Sequence, residues 1–330
     1  MQMMRLIAVV LSLACLALGQ PAAAQDKYPS KPVKIVLPYG PGSATDIITR
    51  ILAEQLRVIL GQSFVVENKP GAFGILAIED MARSRADGYT LQVGNVSTNA
   101  ITPVLFANKF TIDYEKDVVP VSRLADLPTL MVTTTKDFPP KTMAEFVAYA
   151  KANPGKLRYA SPGAGSFPHY DMEILSRRAG IEMVPIHIKA GPPGYINDMV
   201  KGDIHVTYMN VATAAPQIKG GFLRALVTTS DTRLPDYPDV PTMAEAGFPG
   251  VGTTLWAGLF APAATPRPVL EILHKAVAEG LASPQVQDAY KKQVIRSGPS
   301  ASLDEAKTWL AAEIANWKKI TSEVKIDLSD

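Results

Sequence analysis

The sequence predicts an α/β fold made of parallel sheets with helices on both faces. Three observations predict it. Short apolar runs rich in Val, Ile and Leu alternate with longer stretches of helical period. Gly, Pro, Ser and Asn cluster where such a run hands over to a helical stretch. Beyond the N-terminus no apolar run is long enough to span a bilayer. Alternation of this kind builds strand–helix–strand units whose strands lie parallel and covered. Ligands of such sheets bind at the carboxyl ends of the strands.

Residues 1–24 stand apart from this pattern. Arg5 gives a positive start, Leu6 to Leu18 is apolar, and Pro21-Ala22-Ala23-Ala24 puts small residues where signal peptidase reads. Cleavage after Ala24 and export to the periplasm are expected. Cys15, the chain's one cysteine, lies in the apolar run. Lipidation is disfavoured there, because Ser12 stands where an aliphatic residue is needed. The mature chain then has no cysteine, which excludes disulfides, a thiol nucleophile and thiolate metal sites. Lys and Arg number 33 against 31 Asp and Glu in 330 residues. This balance argues against a nucleic-acid partner and against a polybasic membrane patch. The mature length suits one large or two medium domains.

The first element is a strand, Val33 to Leu37, ended by Pro38, Gly40, Pro41 and Gly42. Ser43, Thr45 and Asp46 then form caps for a helix patterned by Ile47, Ile48, Ile51, Leu52 and Leu56. Unpaired N–H groups in such a loop make a site for an anion such as a carboxylate, although an ordinary capped helix has the same pattern. Phe64 to Glu67 is a strand, Gly74 to Arg83 a helix and Tyr89 to Val93 a strand. Gly94 to Asn99 reads as a polar loop before another helix. Val118 to Val132, broken by Pro120 and Pro128, reads as a strand leaving the first sheet. A second set follows: helix Thr142–Ala152, strand Leu157–Ala160, a Gly/Ser loop over 161–166, and a helix through Arg178. Strand Met183–Ile188, a Gly/Pro loop over 189–194, a helix to Val200, and strands His205–Met209 and Leu223–Thr228 complete it. Gly252 to Phe260 crosses back. Trp256 on that stretch either lines the cleft or anchors the hinge, the first being favoured. Helices over Arg267–Leu281, Pro284–Val294 and Leu303–Val324 finish the chain. The loops 39–45, 94–99, 161–166 and 189–194 all follow strand ends, so two facing halves would bring them to one cleft.

Enzyme chemistry finds little support. Ser166, His169 and Asp171 are close in sequence, but Gly-x-Ser-x-Gly is absent. Ser166 and His169 read more simply as a helix cap and a first-turn residue. His187 and His205 lie on strands without the spacing of a metal site. Neither a phosphate-binding Gly-x-x-x-x-Gly-Lys nor a dinucleotide fingerprint follows a strand. Asp46 and Glu67 read as a cap and a strand-end charge. No cofactor is expected.

A resemblance adds to this reading. The motifs YPSKPVKIVLPYGPGSATD, VVENKPGAFG, DGYTL, YASPGAGSFPH, GGFLRALVTTS, PDVPTMAEAGFPG and WAGLFAPAATPRPV run in order through the mature chain. With them the chain resembles the Bug family, the extracytoplasmic solute receptors of tripartite tricarboxylate transporters. The resemblance implies a periplasmic-binding-protein type II fold: two doubly wound α/β domains, joined by two crossing strands, with the ligand cleft between them. It divides the chain into 25–128 plus 253–330 and 129–252. It implies a non-enzymatic monomer that binds a small carboxylate and hands it to transporter membrane subunits. A receptor that signals to a membrane sensor kinase is the alternative.

Carried onto this chain, the resemblance implies ligand contacts from Tyr39, Gly42, Ser43, Ala44 and Thr45, from Phe73 and Gly74, and from Ser97 and Thr98. In the second domain it implies Gly163, Gly165, Ser166, His169, Ala190 and Gly191, with Met209 and Asn210 after the strand that begins at His205. Gly lets backbone approach closely and Ser or Thr adds donors. Two departures stand out. The family commonly reads Asp-Asn where this chain has Met209-Asn210, which disfavours an amino-acid ligand and favours a plain aliphatic or aromatic acid. Packing of Met209 in the hinge region is the equal alternative. The first loop reads Tyr-Gly-Pro-Gly-Ser-Ala where Phe-Ala-Ala-Gly-Gly-Pro is usual, so ligand identity does not transfer.

Overall fold

The computed structural model describes residues 28–188 and 191–326. The expected signal segment 1–24 with Cys15, and the loop residues Lys189 and Ala190, lie outside the described residues.

Two sheets form. The first holds β1 (Val33–Leu37), β2 (Phe64–Asn68), β3 (Thr90–Asn95) and β4 (Val118–Leu127). The second holds β5 (Thr129–Thr134), β6 (Leu157–Ser161), β7 (Met183–His187), β8 (Val206–Asn210) and β9 (Leu223–Thr228). The chain then returns to the first sheet with β10 (Leu255–Pro262) and β11 (Arg296–Ser297). The strand orders are β11-β4-β10-β3-β1-β2 and β7-β6-β8-β5-β9.

The sheets are mixed rather than wholly parallel, a correction to the sequence reading. β1 pairs in parallel with β2 and β3, and β6 with β7 and β8. β10 is antiparallel to β3 and β4, and β5 is antiparallel to β8 and β9. The reason lies in the crossings. Strands of the βα units run toward the cleft, so a strand entering a sheet from the other domain must run away from it. β5 does so directly, since Pro128 alone separates it from β4. A proline at this step removes a donor where the ladder changes sheet. Pro120 lies inside β4 opposite Phe260, beside a register shift, on a stretch that β11 does not reach.

Nine helices of eight or more residues cover the sheets among the described residues: α1 (Ala44–Leu60), α2 (Ile75–Ala82), α3 (Met143–Ala152), α4 (Phe167–Ala179), α5 (Pro192–Lys201), α6 (Val211–Lys219), α7 (Arg267–Ala282), α8 (Pro284–Lys292) and α9 (Leu303–Glu323). α1 buries Ile48, Leu52 and Leu56, three points of its helical period, and ends on Gly61 in the left-handed region. Three differences from the sequence reading matter for the site. β3 runs on through Gly94 and Asn95, because both pair with β10 across from Gly258 and Ala257. The expected polar loop shrinks to Val96, followed by a π-turn over Ser97–Ile101. α6, where the sequence suggested no helix, follows β8 directly; Pro216 inside it masks its pattern.

Trp256 belongs to the hinge and not to the cleft. Its indole N–H donates to Glu313 Oε2 of α9 at 2.9 Å, and its ring meets Trp309 edge-on at 4.6 Å. It is fully buried and ties β10 to α9. An aromatic of this size contributes roughly 1.5–3 kcal/mol by burial. α9 also reaches the second domain, where Trp317 meets Tyr170 of α4 edge-on at 5.5 Å.

Candidate functional site

The cleft is built from strand ends, and loop one, over 39–45, forms one wall through Gly42 and Ala44. Ser43 caps α1, accepting from the Asp46 N–H at 3.2 Å. Asp46 Oδ2 accepts in return from the Gly42 N–H at 3.0 Å. Arg50 Nε donates to both Asp46 oxygens at 3.0 Å, and Asn68 Nδ2 reaches Oδ1 at 2.9 Å and the Tyr39 carbonyl at 2.8 Å. Burial opposes ionisation of Asp46, but the bonds from Arg50, Asn68 and Gly42 win and hold it below the usual carboxylate range. The loop is therefore clamped from behind. The Gly42 and Ser43 amides are used inside it. The Ala44 and Thr45 amides, first and second in the helix, have no intrahelical acceptor, and Ala44 lines the cavity between the domains.

A polar network joins this wall to the next. The Tyr39 hydroxyl lies 2.8 Å from Thr98 Oγ1. Burial raises the Tyr39 phenol, only partly offset by Thr98, so it stays protonated. Asn95 Nδ2 donates to Thr45 Oγ1 at 3.4 Å, and its Oδ1 accepts from the Ser97 N–H at 2.9 Å. Gly74, at φ +91°, lets Thr98 in; a Cβ there would stand 2.6 Å from Thr98 Cγ2. Phe73 is a non-glycine residue in the left-handed region (φ 57°), held by Thr102 Oγ1 on its carbonyl at 2.9 Å and stacked on Phe106 at 4.4 Å. Strain of this kind costs about 1–3 kcal/mol and collects at ligand clamps. Lys109 sits over the Phe106 ring at 4.6 Å, bringing a cation to this corner.

The second domain closes on it. The Phe167 N–H, first of α4, donates to Ser97 Oγ across the cleft at 3.2 Å. A Cβ on Gly163 would stand 4.0 Å from the Phe73 ring. Ser166 takes the cap position of α4, but its hydroxyl donates to the Gly163 carbonyl at 2.7 Å and not to His169. His169 is buried, accepts from the Gly165 N–H at 3.2 Å through Nδ1, and lies 4.7 Å from the His187 ring. Ser161 and His187 share a hydrogen bond of 2.6 Å. Gly191 adopts φ 66° at the start of α5. Ala190 lies outside the described residues.

On the other side of the cleft the first turn of α6 faces α1. Asn210 caps α6, its Oδ1 accepting from the Thr213 N–H and hydroxyl, both at 3.0 Å. The Val211 N–H is used by the Pro128 carbonyl at 3.0 Å, which leaves the Ala212 amide forward. Met209 sits opposite Leu130 within an apolar cluster that includes Ala160, Tyr195 and Val211, in the packing role. A cavity of about 240 Å³ lies between these walls. Gly42, Ala44 and Ile47 line one side, Leu127 and Pro128 the crossing, Asn210 to Thr213 and Pro216 the other side, and Gln293 to Ile295 its edge. No Lys, Arg, Asp or Glu is among its lining residues.

The structure thus joins the Phe73 turn, Ser97 and the Gly163–Phe167 loop by direct contacts, while of the expected residues only Gly42, Ala44 and Asn210 line the cavity itself. Sequence reasoning missed Asn95, Lys109 and the first turn of α6. Asn210 followed by Val211, Ala214 and Ile218 was the available signal for α6.

Residues 48–326 match the sequence model of the tripartite tricarboxylate transporter family receptor. The chain belongs to that family. It is similar to protein BugT of Bordetella pertussis, 32% identical over 324 residues that cover 98% of each chain. It is also similar to two solved structures. One is an R. palustris protein with adipate (TM-score 0.83, 30% identity, 90% of this chain and 98% of that one). The other is MatC of Rhodopseudomonas palustris with bound malate (TM-score 0.80, 30% identity, 89% and 99%). Members of this receptor family are periplasmic binding proteins, not enzymes. No helix among the described residues is long and apolar enough to cross a membrane.

Proposed function

We propose that this chain is exported, cut after Ala24, and closes as a monomer over a small organic carboxylate that it delivers to the membrane subunits of a tripartite tricarboxylate transporter. The division 25–128 plus 253–330 against 129–252 gives the two bodies that close. The observation that carries the reading is the pair of helix starts facing each other across an uncharged cavity. α1 contributes Ala44 and α6 contributes Ala212 to the lining, each in the first turn of its helix, and mostly apolar side chains form the walls. Each such helix end attracts an anion by roughly 0.3–1 kcal/mol when exposed, and by more when partly buried. Adipate and malate in similar proteins support a carboxylate. The apolar walls, with no side-chain carboxylate to receive an ammonium group, favour a plain dicarboxylate or aromatic acid over an amino acid.

A thermal-shift screen of the purified protein tests this with dicarboxylates, tricarboxylates, aromatic acids, acidic amino acids and neutral controls. A ligand that binds only the folded state raises the melting temperature once its concentration exceeds its Kd. Plain acids are expected to shift it and amino acids to leave it unchanged. Ser43→Trp, which fills the front of loop one, is expected to abolish the shift while the protein stays folded. An undiminished shift in that variant would remove loop one from the site.

A further inference from the structure

Asp171 is a buried carboxylate with no part in the cavity. It lies in α4, one turn behind the end that presents Phe167 to the cleft, and is 1% exposed. One residue takes both of its oxygens. Oδ2 accepts from the Thr253 N–H at 2.8 Å, and Oδ1 accepts from the Thr253 hydroxyl at 2.7 Å. Thr253 stands two residues before β10, on the segment that carries the chain back to the first sheet. Its carbonyl accepts from Thr229 Oγ1, just beyond β9, at 3.1 Å. Gly252 beside it has φ +98°, and a Cβ there would meet Thr229 Cγ2 at 2.8 Å. The returning crossing is thus pinned between α4 and the end of β9.

A carboxylate buried without a cation is costly. β8 brings Tyr208, whose phenol is raised by burial and by the Asp171 charge. α9 meets α4 through Trp317 on Tyr170. Arg178, two turns further along α4, is held by the Pro249 carbonyl at 3.2 Å. Among the described residues no Lys, Arg or His is paired with Asp171. What sets this acid apart from a neutral filler is its grip on two donors of one crossing residue.

We propose that Asp171 is a positioning residue for ligand capture: it locks Thr253, the boundary residue of the returning crossing, to the ligand-facing end of α4, so that the start of the crossing follows the helix when the cleft opens and closes. The inference rests on the receptor reading, because closure is the motion it steers. Burial pushes the Asp171 carboxyl up to about 7, against the two Thr253 donors. Its charge therefore changes near neutral pH. The Thr253 contact by itself is tightest when Asp171 is ionised, because both donors then make charge-assisted bonds. Those bonds pull the carboxyl below where burial alone would hold it, even though burying that charge costs the fold as a whole. Once protonated, its own hydroxyl competes for the Thr253 oxygen.

Hydrogen exchange of the segment around Thr253 and of the first turn of α4 tests this in the wild type, Asp171→Asn and Thr253→Val. The range runs from about pH 5 to about pH 8.5, corrected for intrinsic exchange. For local opening that parts Thr253 from a still-buried Asp171, wild-type protection of both segments is expected to rise together through neutral pH, while global stability falls. In Asp171→Asn the profile is expected to be flat, with exchange at high pH faster by at least roughly ten-fold, the size of one lost charge-assisted bond. Thr253→Val keeps the N–H donor and is expected to lose part of the rise. A rise that persists in Asp171→Asn overturns the proposal, as does loosening spread evenly over the second sheet. Adipate and malate serve as affinity probes across the same range. If either binds the wild type, its affinity should follow the exchange profile and lose that dependence in Asp171→Asn. If neither binds, these two acids drop out as ligands, while the exchange data still decide the role of Asp171.

Discussion

Gly94 is fixed by its neighbour's side chain and not by its own dihedrals. A Cβ there would stand 1.7 Å from Asn99 Oδ1 and 2.6 Å from Gln92 Nε2. Those two side chains exchange hydrogen bonds of 3.1 and 3.0 Å, and Asn99 also donates to the Tyr114 hydroxyl at 3.0 Å. Thr98, which holds Tyr39 at the cleft, donates to the same Asn99 Oδ1 at 2.8 Å. Gly94→Ala is therefore expected to cost about 1–3 kcal/mol by overpacking, and to disturb Thr98 as well. Urea denaturation measures the cost; an unchanged midpoint would mean that the network moves aside freely. At this scale the sequence was legible where residue type alone carries the chemistry, as with Ser43 for a cap and Gly42 for a turn. Asn95 and Asp171 were not legible. Their partners, Thr45 and Thr253, lie 50 and 82 residues away, and nothing local marks the pairing.

α6 shows the same limit one level up. Strands and long helices declare themselves by period: β1 and the cap of α1 fall where the apolar pattern and Ser43 put them. α6 is short, carries Pro216 in its interior, and follows β8 without a loop, so neither length nor breaker marks it. Its start rests on Asn210. Asn210→Ala removes the acceptor for the Thr213 N–H and hydroxyl and is expected to cost about 1 kcal/mol of stability. It is also expected to weaken carboxylate binding, because the same cap aims the Ala212 amide at the cavity. Calorimetric titration with the tightest acid from the screen, run beside a denaturant melt, separates the two effects. A stability loss with unchanged affinity would take α6 out of the site. The mixed sheets follow from equally distant pairings. β3 gains Gly94 and Asn95 only because β10, more than a hundred and fifty residues on, lies against them.

For the molecule as a whole, buried carboxylates set how stability varies with pH. Asp171 is pushed by burial from 3.8 to about 7, and burial raises Asp126 and Glu313 against the pull of Arg123. A carboxyl raised in the folded state contributes stability that is fully present below its unfolded value and lost as pH rises through the folded one. For Asp171 that loss spans the interval from 3.8 to about 7. Other carboxylates act in the opposite sense. Burial opposes the ionisation of Asp46 and Asp80, yet Arg50 and Asn68 hold the first, and Lys34 and Lys69 the second, below the usual range. Their stabilisation is present above the unfolded value and lost as pH falls through the folded one. The two sets place the stability maximum on the mildly acidic side of neutral. The melting temperature is expected to fall as pH climbs from that maximum through about 7. Asp171→Asn, which carries no charge to bury, is expected to flatten this descent and leave the acid limb unchanged. A wild-type melting temperature that rises steadily through neutral pH, or a variant that descends as steeply as the wild type, would show that Asp171 does not titrate in the folded protein.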